Sequence, residues 1–440
     1  MHCVINRDDQ NLINRINKQP ELRNHIESIL NIVENTSSNL KKADEAEKQT
    51  IEEVRKLGNE VMHSWANNRV EDSTKQLNSE NEGLRNKGKR SIKWHTTFGD
   101  IKVEEPVFSK DGHLYRPFSH SSGVAGRHCS LPLQRAIVDF GADHAFGKVP
   151  KKLQEHYGIE LSPSTIASIT EEHAAKMVPI ANEKKETPNQ DGCKVQIGEI
   201  DGSMIPIVTV NEESKDKRKN KKLSWKEAKL SIVHQQGSVT PRFGAVFSGS
   251  VDDAGQSLLN AAIMSGFGKE TYMHSVGDGA KWIALQIDNK FGNQGHYLID
   301  MCHMTGYLYD AATICASDGK EKWVEKQKEL LKNNQYKSIL DNLKPHMEND
   351  DLDDDEAPVR KCYRYINNRP KHLDYKYAID NDLPIGSGEV ESAHRYVIQE
   401  RLKLAGAWWT DENANAMLAL RIIRANDMWD DYWDSMGIAA

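Results

Sequence analysis

Residues 272–280 read Tyr-Met-His-Ser-Val-Gly-Asp-Gly-Ala, an apolar stretch that ends in the tripeptide Gly277-Asp278-Gly279. A similar pattern stands at residues 195–202, where Val-Gln-Ile-Gly-Glu-Ile leads into Asp201-Gly202. A short apolar run bounded by glycine predicts a buried β-strand, and in both places an acid lies where the strand should end. Open α/β sheets bind ligands at the carboxyl ends of their strands, so these two acids are the first candidates for a functional site.

The residues around these two stretches alternate between strand and helix patterns. Further strands are predicted at residues 205–210, 230–235, 243–248 and 296–299, and helices at residues 254–264 and 280–290. Residues 303 to about 368 have helical patterns, and a final helix should begin near Glu389. This order is typical of an α/β domain with a mixed sheet and helices packed against it.

The sequence before residue 190 predicts two other regions. Residues 1–90 are polar with apolar residues at helical spacing, which predicts a helical N-terminal region. Alternating residues on both sides of Gly99-Asp100 predict a short β-hairpin. Three helices with short breaks follow at residues 131–178, and they fit either a DNA-binding helix-turn-helix or an ordinary helical bundle. We place the hairpin and these helices in one domain, residues 91–180.

Two further acids complete the candidate set. Asp300 follows the strand predicted at residues 296–299, and Glu391 lies in the first turn of the helix after a glycine-rich segment. Taken singly, each candidate has a simpler explanation, because Asp-Gly is a common turn and acids favour the first turn of a helix. Glu389 is two residues from Glu391, and the residues alone leave open which of the two belongs to the site.

Carboxylates gathered in one site repel each other, and burying them without compensation is costly. A site that combines Asp201, Asp278 and Glu391 therefore needs a cation, and hard oxygen ligands favour Mg²⁺ or Mn²⁺. Two such ions about 3.5–4 Å apart can activate a water molecule and stabilise the leaving oxygen of a phosphodiester. The acids together therefore predict metal-dependent phosphodiester chemistry.

Charge is unevenly distributed along the 440 residues. The net charge of −7, taken alone, argues against a nucleic-acid-binding protein. Acids are concentrated in residues 350–356, whereas bases are concentrated in residues 85–93 and 215–222. A solvated loop explains any single run, so the charge pattern leaves DNA binding open.

The sequence also bears on the compartment of the protein. It has no stretch of about eighteen apolar residues, as a membrane helix needs, and residues 1–10 have no apolar segment typical of an export signal. The six cysteines include no C-x-x-C pair. We therefore expect free thiols in a reducing cytoplasm, no structural zinc site and no contact with a membrane.

Several tracts match a known family when they are taken together. They are Gly277 to Ile283 (GDGAKWI), Asp300 to His303 (DMCH), Ile385 to His394 (IGSGEVESAH) and Trp225 to Lys229 (WKEAK). These tracts resemble the DDE transposases of bacterial insertion sequences, in particular the ISKra-type group, which is related to the Mutator-like superfamily. The resemblance covers about residues 90–430.

The resemblance implies an RNase H-like catalytic domain at residues 190–440. Asp201, Asp278 and Glu391 would be its first, second and third catalytic acids and its metal ligands. A helical insertion at about residues 304–384 would precede the third acid. Asp300 and His303 resemble a short acid-and-histidine motif between the second and third acids of Mutator-like enzymes, so we expect them to have a supporting role.

Other residues near Glu391 suit contact with DNA. Arg395, Arg401 and Lys403 follow it closely and are candidates for phosphate contacts. Trp408 and its neighbour Trp409 would either stack on an unpaired base or close the apolar core.

The resemblance implies a DNA transposase that cuts double-stranded DNA at insertion-sequence ends and joins those ends to target DNA. Two ends must be cut together, so we expect a homodimer or larger assembly on DNA, in the cytoplasm at the nucleoid. Two alternatives remain open at this point. One is an RNase H-like nuclease or resolvase that does not join ends, and the other is a non-catalytic DNA-binding protein on the same fold.

Overall fold

The computed structural model describes residues 7–34, 42–124, 128–210 and 221–438. The chain forms two compact units, residues 1–172 with 433–440 and residues 173–432. Most of the basic run at residues 215–222 lies outside the described residues. Within the described part, no helix is both long enough and apolar enough to span a membrane.

The first unit combines helices with a small antiparallel sheet. Its helices are α1 (Arg7–Asn17), α2 (Pro20–Val33), α3 (Ala43–Glu80), α4 (Pro117–Ser121), α5 (Leu131–Asp143), α6 (Val149–Tyr157) and α7 (Pro163–Ala181), which continues into the second unit. Its strands are β1 (Arg85–Thr96), β2 (Gly99–Lys110) and β3 (His113–Tyr115). The three strands pair in the order β1-β2-β3.

The β1–β2 hairpin confirms the predicted hairpin. Ile92 and Trp94 on β1 and Ile101 and Val103 on β2 are all buried. Because side chains alternate along a strand, these four share one face, and they join Phe118 in an apolar cluster. The helices predicted at residues 131–178 are present as α5, α6 and α7, whereas their role in binding DNA stays a prediction.

The second unit is built on a larger sheet. Its strands are β4 (Val195–Val210), β5 (Lys221–Gln235), β6 (Arg242–Phe247), β7 (Tyr272–Gly277) and β8 (Gly295–Ile299). Its helices are α8 (Val251–Met264), α9 (Lys281–Phe291), α10 (Met301–Cys315), α11 (Lys320–Lys332), α12 (Tyr336–Leu343), α13 (Pro358–Asn367), α14 (Tyr375–Asp380), α15 (Gly388–Ala393), α16 (Glu400–Leu402), α17 (Asp411–Ala425) and α18 (Trp429–Ile438), which ends in the first unit. A π-helical turn, His394–Gln399, joins α15 to α16.

The five strands form one mixed sheet in the order β6-β5-β4-β7-β8. Strand β4 is central; it pairs antiparallel with β5 and parallel with β7. Strands β5 and β6 are antiparallel, and β7 and β8 are parallel. The prediction of an α/β domain with a mixed sheet is confirmed.

One predicted strand boundary is wrong. The pattern at Asp201-Gly202 predicted the end of a strand, followed by a second strand at residues 205–210, but Val195–Val210 is one uninterrupted strand. The reason is β5, which pairs with β4 along almost its whole length. Gly202 serves close packing here rather than a turn, because a Cβ at this position would overlap with the carboxylate of Glu227. Asp201 therefore lies inside a strand.

Helices cover both faces of this sheet. On one face, Ile200 and Val233 belong to the main apolar core together with Leu258 of α8 and Ile287 of α9. Helices α10 to α14 occupy the segment where a helical insertion was expected, about residues 304–384, and their buried side chains extend the same core. On the other face, α15 contacts β4 and β5, and α17 contacts β6. The acids on β4 lie beneath this second layer.

Candidate functional site

The two acids that first suggested a site belong to neighbouring strands: Asp201 lies within β4, and Asp278 directly follows β7. Strands β4 and β7 run parallel, with Glu199 beside Val276. This pair is the last in the register: Asp201 lies two residues beyond it on β4, and Asp278 lies two residues beyond it in the turn that directly follows β7. Backbones of adjacent strands are about 4.8 Å apart, so the fold brings together the strands that lead to two acids 77 positions apart in sequence. The separation of the two acids in sequence gave no indication that the fold brings their strands together.

The turn that carries Asp278 is held firmly. Its Oδ1 accepts a hydrogen bond from the N–H of Ala280 at 2.8 Å, and its backbone carbonyl accepts one from the Tyr365 hydroxyl at 2.7 Å. The N–H of Gly279 donates to the Tyr297 hydroxyl at 2.9 Å. Asp278 itself is half-buried. Its carboxylate is thus fixed in place and still reaches solvent.

Asp300 also follows a strand of this sheet, but its environment differs from that of Asp278. Gly277 pairs with Ile299 of β8, so Asp300 follows β8 as Asp278 follows β7. Its Oδ1 accepts from the backbone N–H groups of Cys302 and His303, and its Oδ2 accepts from the N–H and hydroxyl of Ser387. Burial alone would raise the pKa of Asp300, but these hydrogen bonds hold it below its usual value. Asp300 caps α10 and fastens the segment before α15.

The two glutamates of α15 differ in their partners. The Oε2 of Glu389 lies 2.9 Å from Nε2 of His234, a buried residue of β5. Glu391 is exposed. Burial and then the charges of Asp300 and Glu391 raise the pKa of Cys302, at the start of α10, above its usual value.

Glu199 is a carboxylate of this site that sequence reasoning missed. It is 1% exposed, and its Oε2 accepts a hydrogen bond from the N–H of Val390 at 2.8 Å. Burial raises the pKa of Glu199 to about 8; the Val390 hydrogen bond opposes this change, and the charge of Glu389 adds to it. The available signal was its place two residues before Asp201, which puts both side chains on one face of β4.

His394 is a second residue that sequence reasoning did not assign. It follows Glu391 by one helical turn and is 3% exposed. Its Nε2 lies 3.8 Å from Oδ2 of Asp201. Burial lowers the pKa of His394 below its usual value, although the charge of Asp201 acts in the opposite direction. A neutral imidazole beside Asp201 therefore forms one wall of the site.

The other predicted site residues are dispersed. His303 is exposed, with its ring 5.9 Å from that of Tyr307. Arg395 and Lys403 are exposed. Arg401 is 1% exposed, and its guanidinium lies over the ring of Trp409 at 4.7 Å, so it is out of reach of an external phosphate.

The two neighbouring tryptophans have different environments. Trp409 is 3% exposed, whereas Trp408 is 57% exposed. The Nζ of Lys221 lies 4.1 Å from the centroid of the Trp408 ring. Of the two alternatives, the core position therefore applies to Trp409, whereas Trp408 and Lys221 present an aromatic face and a cation at the surface.

The donor chemistry of the candidate acids suits a hard divalent cation, because all of them offer carboxylate oxygen. Within the residues that the structure describes, however, no group of three or more His, Cys, Asp or Glu side chains is arranged to hold a metal ion. Asp201 lies on β4, Asp278 follows the adjacent strand β7, and Glu391 lies on a separate helix. Binding of Mg²⁺ or Mn²⁺ therefore stays a prediction.

Comparison with known proteins gives a family without an assigned activity. No curated protein matches the chain. The family model described as an uncharacterised protein family, UPF0236, matches residues 35–431, which is most of the 440-residue chain. The chain therefore belongs to the uncharacterised protein family UPF0236.

Proposed function

We propose that this protein is a DNA transposase. It would hydrolyse a phosphodiester at each end of an insertion sequence, which frees a 3′ hydroxyl, and that hydroxyl would then attack a phosphodiester of target DNA. The observation that carries the proposal is that Asp201 on β4 and Asp278 just after β7 each lie two residues beyond the last pair of these adjacent parallel strands, Glu199 with Val276. The strand order β6-β5-β4-β7-β8, with the first acid on the central strand, supports an RNase H-like core.

The third acid of the proposal is Glu391. Glu389 has His234 as a close partner, whereas Glu391 is exposed. A carboxylate already paired with an imidazole is less available to a cation. This difference supports the choice of Glu391 that the motif resemblance implies.

Asp201, Asp278 and Glu391 would hold Mg²⁺ or Mn²⁺. The bound ions would supply a Lewis acid for the attacking and leaving oxygens of the phosphodiester. The turn around Asp278 keeps its carboxylate in place through hydrogen bonds from Ala280 and Tyr365. Buried His394 keeps bulk water from one side of Asp201. Fixed ligands of this kind reduce the rearrangement needed during the reaction.

The substrate of the proposed reaction is double-stranded DNA. Exposed Arg395 and Lys403 would contact phosphates, and Trp408 together with Lys221 would contact an unpaired base and its backbone. Arg401 is left out of this surface because it is buried. We also propose a homodimer or larger assembly on DNA, since two ends must be cut together, and a place at the bacterial nucleoid.

The test is cleavage and joining of a labelled duplex that carries the DNA flanking the gene, with Mg²⁺ or Mn²⁺. The wild type is compared with Asp278→Ala and Asp201→Asn, and with Asp318→Asn as a matched control at an exposed acid. We expect wild type and control to cut the end and join it, and both site variants to bind DNA without cutting. Cutting without joining would favour a nuclease or resolvase. DNA binding without cutting in any of the proteins would favour a non-catalytic DNA-binding protein.

A further inference from the structure

The segment that leads to Glu391 is anchored from several parts of the second unit. Each anchor is a hydrogen bond to the backbone of residues 384–390. They are His274 Nε2 to the Pro384 carbonyl at 2.8 Å, Met301 N–H to the Ile385 carbonyl at 2.8 Å, Ser387 N–H to Asp300 Oδ2 at 2.7 Å and Val390 N–H to Glu199 Oε2 at 2.8 Å. The start of α15 is therefore fixed against β7, α10 and β4.

The hydrogen bond between Val390 and Glu199 connects the elements that carry two of the proposed catalytic acids. Glu199 is two residues from Asp201, so both side chains lie on the same face of β4. Val390 directly precedes Glu391 on α15. One hydrogen bond therefore joins the strand of the first proposed catalytic acid to the helix of the third. Loss of this bond would remove a link between β4 and α15 and leave the anchors from β7 and α10 in place.

The burial of Glu199 is unfavourable for folding. The side chain is 1% exposed, and among the described residues its Oε1 has no hydrogen-bond partner. A carboxyl group with an unpaired buried oxygen is less favourable than an apolar side chain of the same size. Residues that break the local rules of folding in this way concentrate at functional sites. What offsets this cost is the bond to Val390, an N–H in the first turn of α15 that has no acceptor within the helix.

We propose that Glu199 is a positioning residue that sets the place of Glu391 above Asp201 through the N–H of Val390. This inference rests on the proposed function, because it assumes that Asp201 and Glu391 act on the same metal ions. Glu199 itself is assigned no contact with metal or DNA. Its effect is transmitted through α15, in the way that partners of metal ligands orient those ligands.

Two substitutions of Glu199 distinguish the effect of its hydrogen bond with Val390 from the effect of its charge. Glu199→Gln keeps an oxygen that can accept from Val390, and Glu199→Met has a similar volume but no such acceptor. Glu270→Ala, at an exposed acid before β7, is the matched control. Mn²⁺ binding to the full-length chain is measured without DNA, from the electron paramagnetic resonance signal of free Mn²⁺. DNA affinity and cleavage are measured in parallel.

We expect Glu199→Met to weaken Mn²⁺ binding by roughly tenfold or more, as loss of a ligand's partner usually does, with DNA affinity unchanged. Glu199→Gln should stay within about threefold of wild type in Mn²⁺ binding and cleavage, since its acceptor is retained. Wild-type Mn²⁺ binding in a folded Glu199→Met would overturn the inference. Weak binding in Glu199→Gln would also overturn it, because the charge rather than the hydrogen bond would then matter. If Glu199→Met does not fold, Mn²⁺ binding by Glu199→Gln is the test, and binding weaker than wild type by more than about threefold would overturn the inference.

Asp278→Asn separates this inference from the proposed function. If Asp278→Asn loses Mn²⁺ binding and cleavage while Glu199→Met keeps both, only the positioning role of Glu199 fails. If Asp278→Asn binds Mn²⁺ and cuts like the wild type, the proposed catalytic site fails, and the role of Glu199 fails with it.

Discussion

Two glutamates of α15 stand two residues apart and should respond differently to the same substitution. His234 lies 2.9 Å from Glu389, whereas Glu391 is exposed. We expect Glu391→Gln to lower the cleavage rate by roughly a hundredfold or more, since even loss of a ligand's partner lowers activity 10- to 100-fold. Glu389→Gln should lower it by less than about threefold, because its amide can still bond to the imidazole. Initial cleavage rates at saturating Mn²⁺ measure both effects.

Each variant serves as the control for the other, because both replace one glutamate by glutamine on the same helix. Equal melting temperatures would show that neither change unfolds the chain. A large loss in Glu389→Gln together with an active Glu391→Gln would reverse the assignment of the third acid.

Single residues also show how far the sequence could predict this site. Asp201 and Asp278 were identified as candidates because a glycine follows each acid at a strand pattern, and their part in a catalytic site stays a prediction. Glu199 was not identified, since a lone acid in an apolar run gives no sign of what lies above the strand. Arg401 was expected at the surface for a similar reason: its burial depends on Trp409, which a helical pattern does not reveal.

Among the elements, the turn between β7 and α9 has a restricted backbone at Gly279. Gly279 has a φ of +84°, and a Cβ at this position would overlap with the hydroxyl of Tyr365. Gly279→Ala should therefore destabilise the chain by about 2 kcal/mol or more, through backbone strain and displacement of Tyr365 from the Asp278 carbonyl. The free energy of unfolding, from urea titration, measures the change.

Gly306 offers a matched control for this substitution. It lies within α10, where a Cβ would meet nothing within 4 Å. Gly306→Ala should raise the free energy of unfolding by up to about 1 kcal/mol, because alanine favours a helix. Equal stability of Gly279→Ala and the wild type would contradict the role given to this turn.

The pairing of β7 with the segment before α15 makes the second unit sensitive to acid. Buried His274 donates to the Pro384 carbonyl, and burial lowers its pKa from 6.5 to about 4. The unfolded chain therefore takes up this proton more readily than the folded chain. The contribution of His274 is fully present above about pH 6.5 and is lost as the pH falls towards 4. The loss is on the order of 3 kcal/mol at most.

His274→Gln removes this titration and keeps a donor for the Pro384 carbonyl. The wild type should lose more unfolding free energy than this variant between pH 7 and pH 4, and His303→Gln, at an exposed histidine, should behave like the wild type. Urea denaturation at a series of pH values measures the difference. Parallel curves for wild type and His274→Gln would show that another group causes the acid sensitivity.

Elements were predicted from sequence better than their ends. The order of strands and helices in the second unit followed from apolar periodicity, which reports directly on burial. The continuity of β4 did not, because a glycine that ends a strand and a glycine that makes room for Glu227 have the same sequence pattern. The pairing of β4 with β5 shows that Gly202 does not end the strand, and this pairing joins residues that are distant in sequence.

Across the whole molecule, the distribution of charge matters more than the net charge of −7. Asp354 and Asp355 of the acidic run are paired with α13, at 3.6 Å from Arg360 and 3.7 Å from Lys361. Arg364 also contacts Asp354. These cations offset part of the acidic charge locally. A net negative chain can therefore still present a positive surface to DNA elsewhere.

Lys221 and Lys222 are exposed at the start of β5, beside Trp408, and the proposed DNA surface includes this place. Each phosphate contact contributes about 0.9 to the slope of log binding constant against log salt concentration. Lys221→Gln combined with Lys222→Gln should therefore reduce that slope by about one to two. Lys337→Gln combined with Lys371→Gln changes the net charge equally at exposed sites and should leave the slope unchanged. Fluorescence anisotropy with a labelled duplex at several salt concentrations gives the slopes. Equal reductions in both double variants would mean that only net charge acts, and no reduction in the first would remove this end of β5 from the DNA surface.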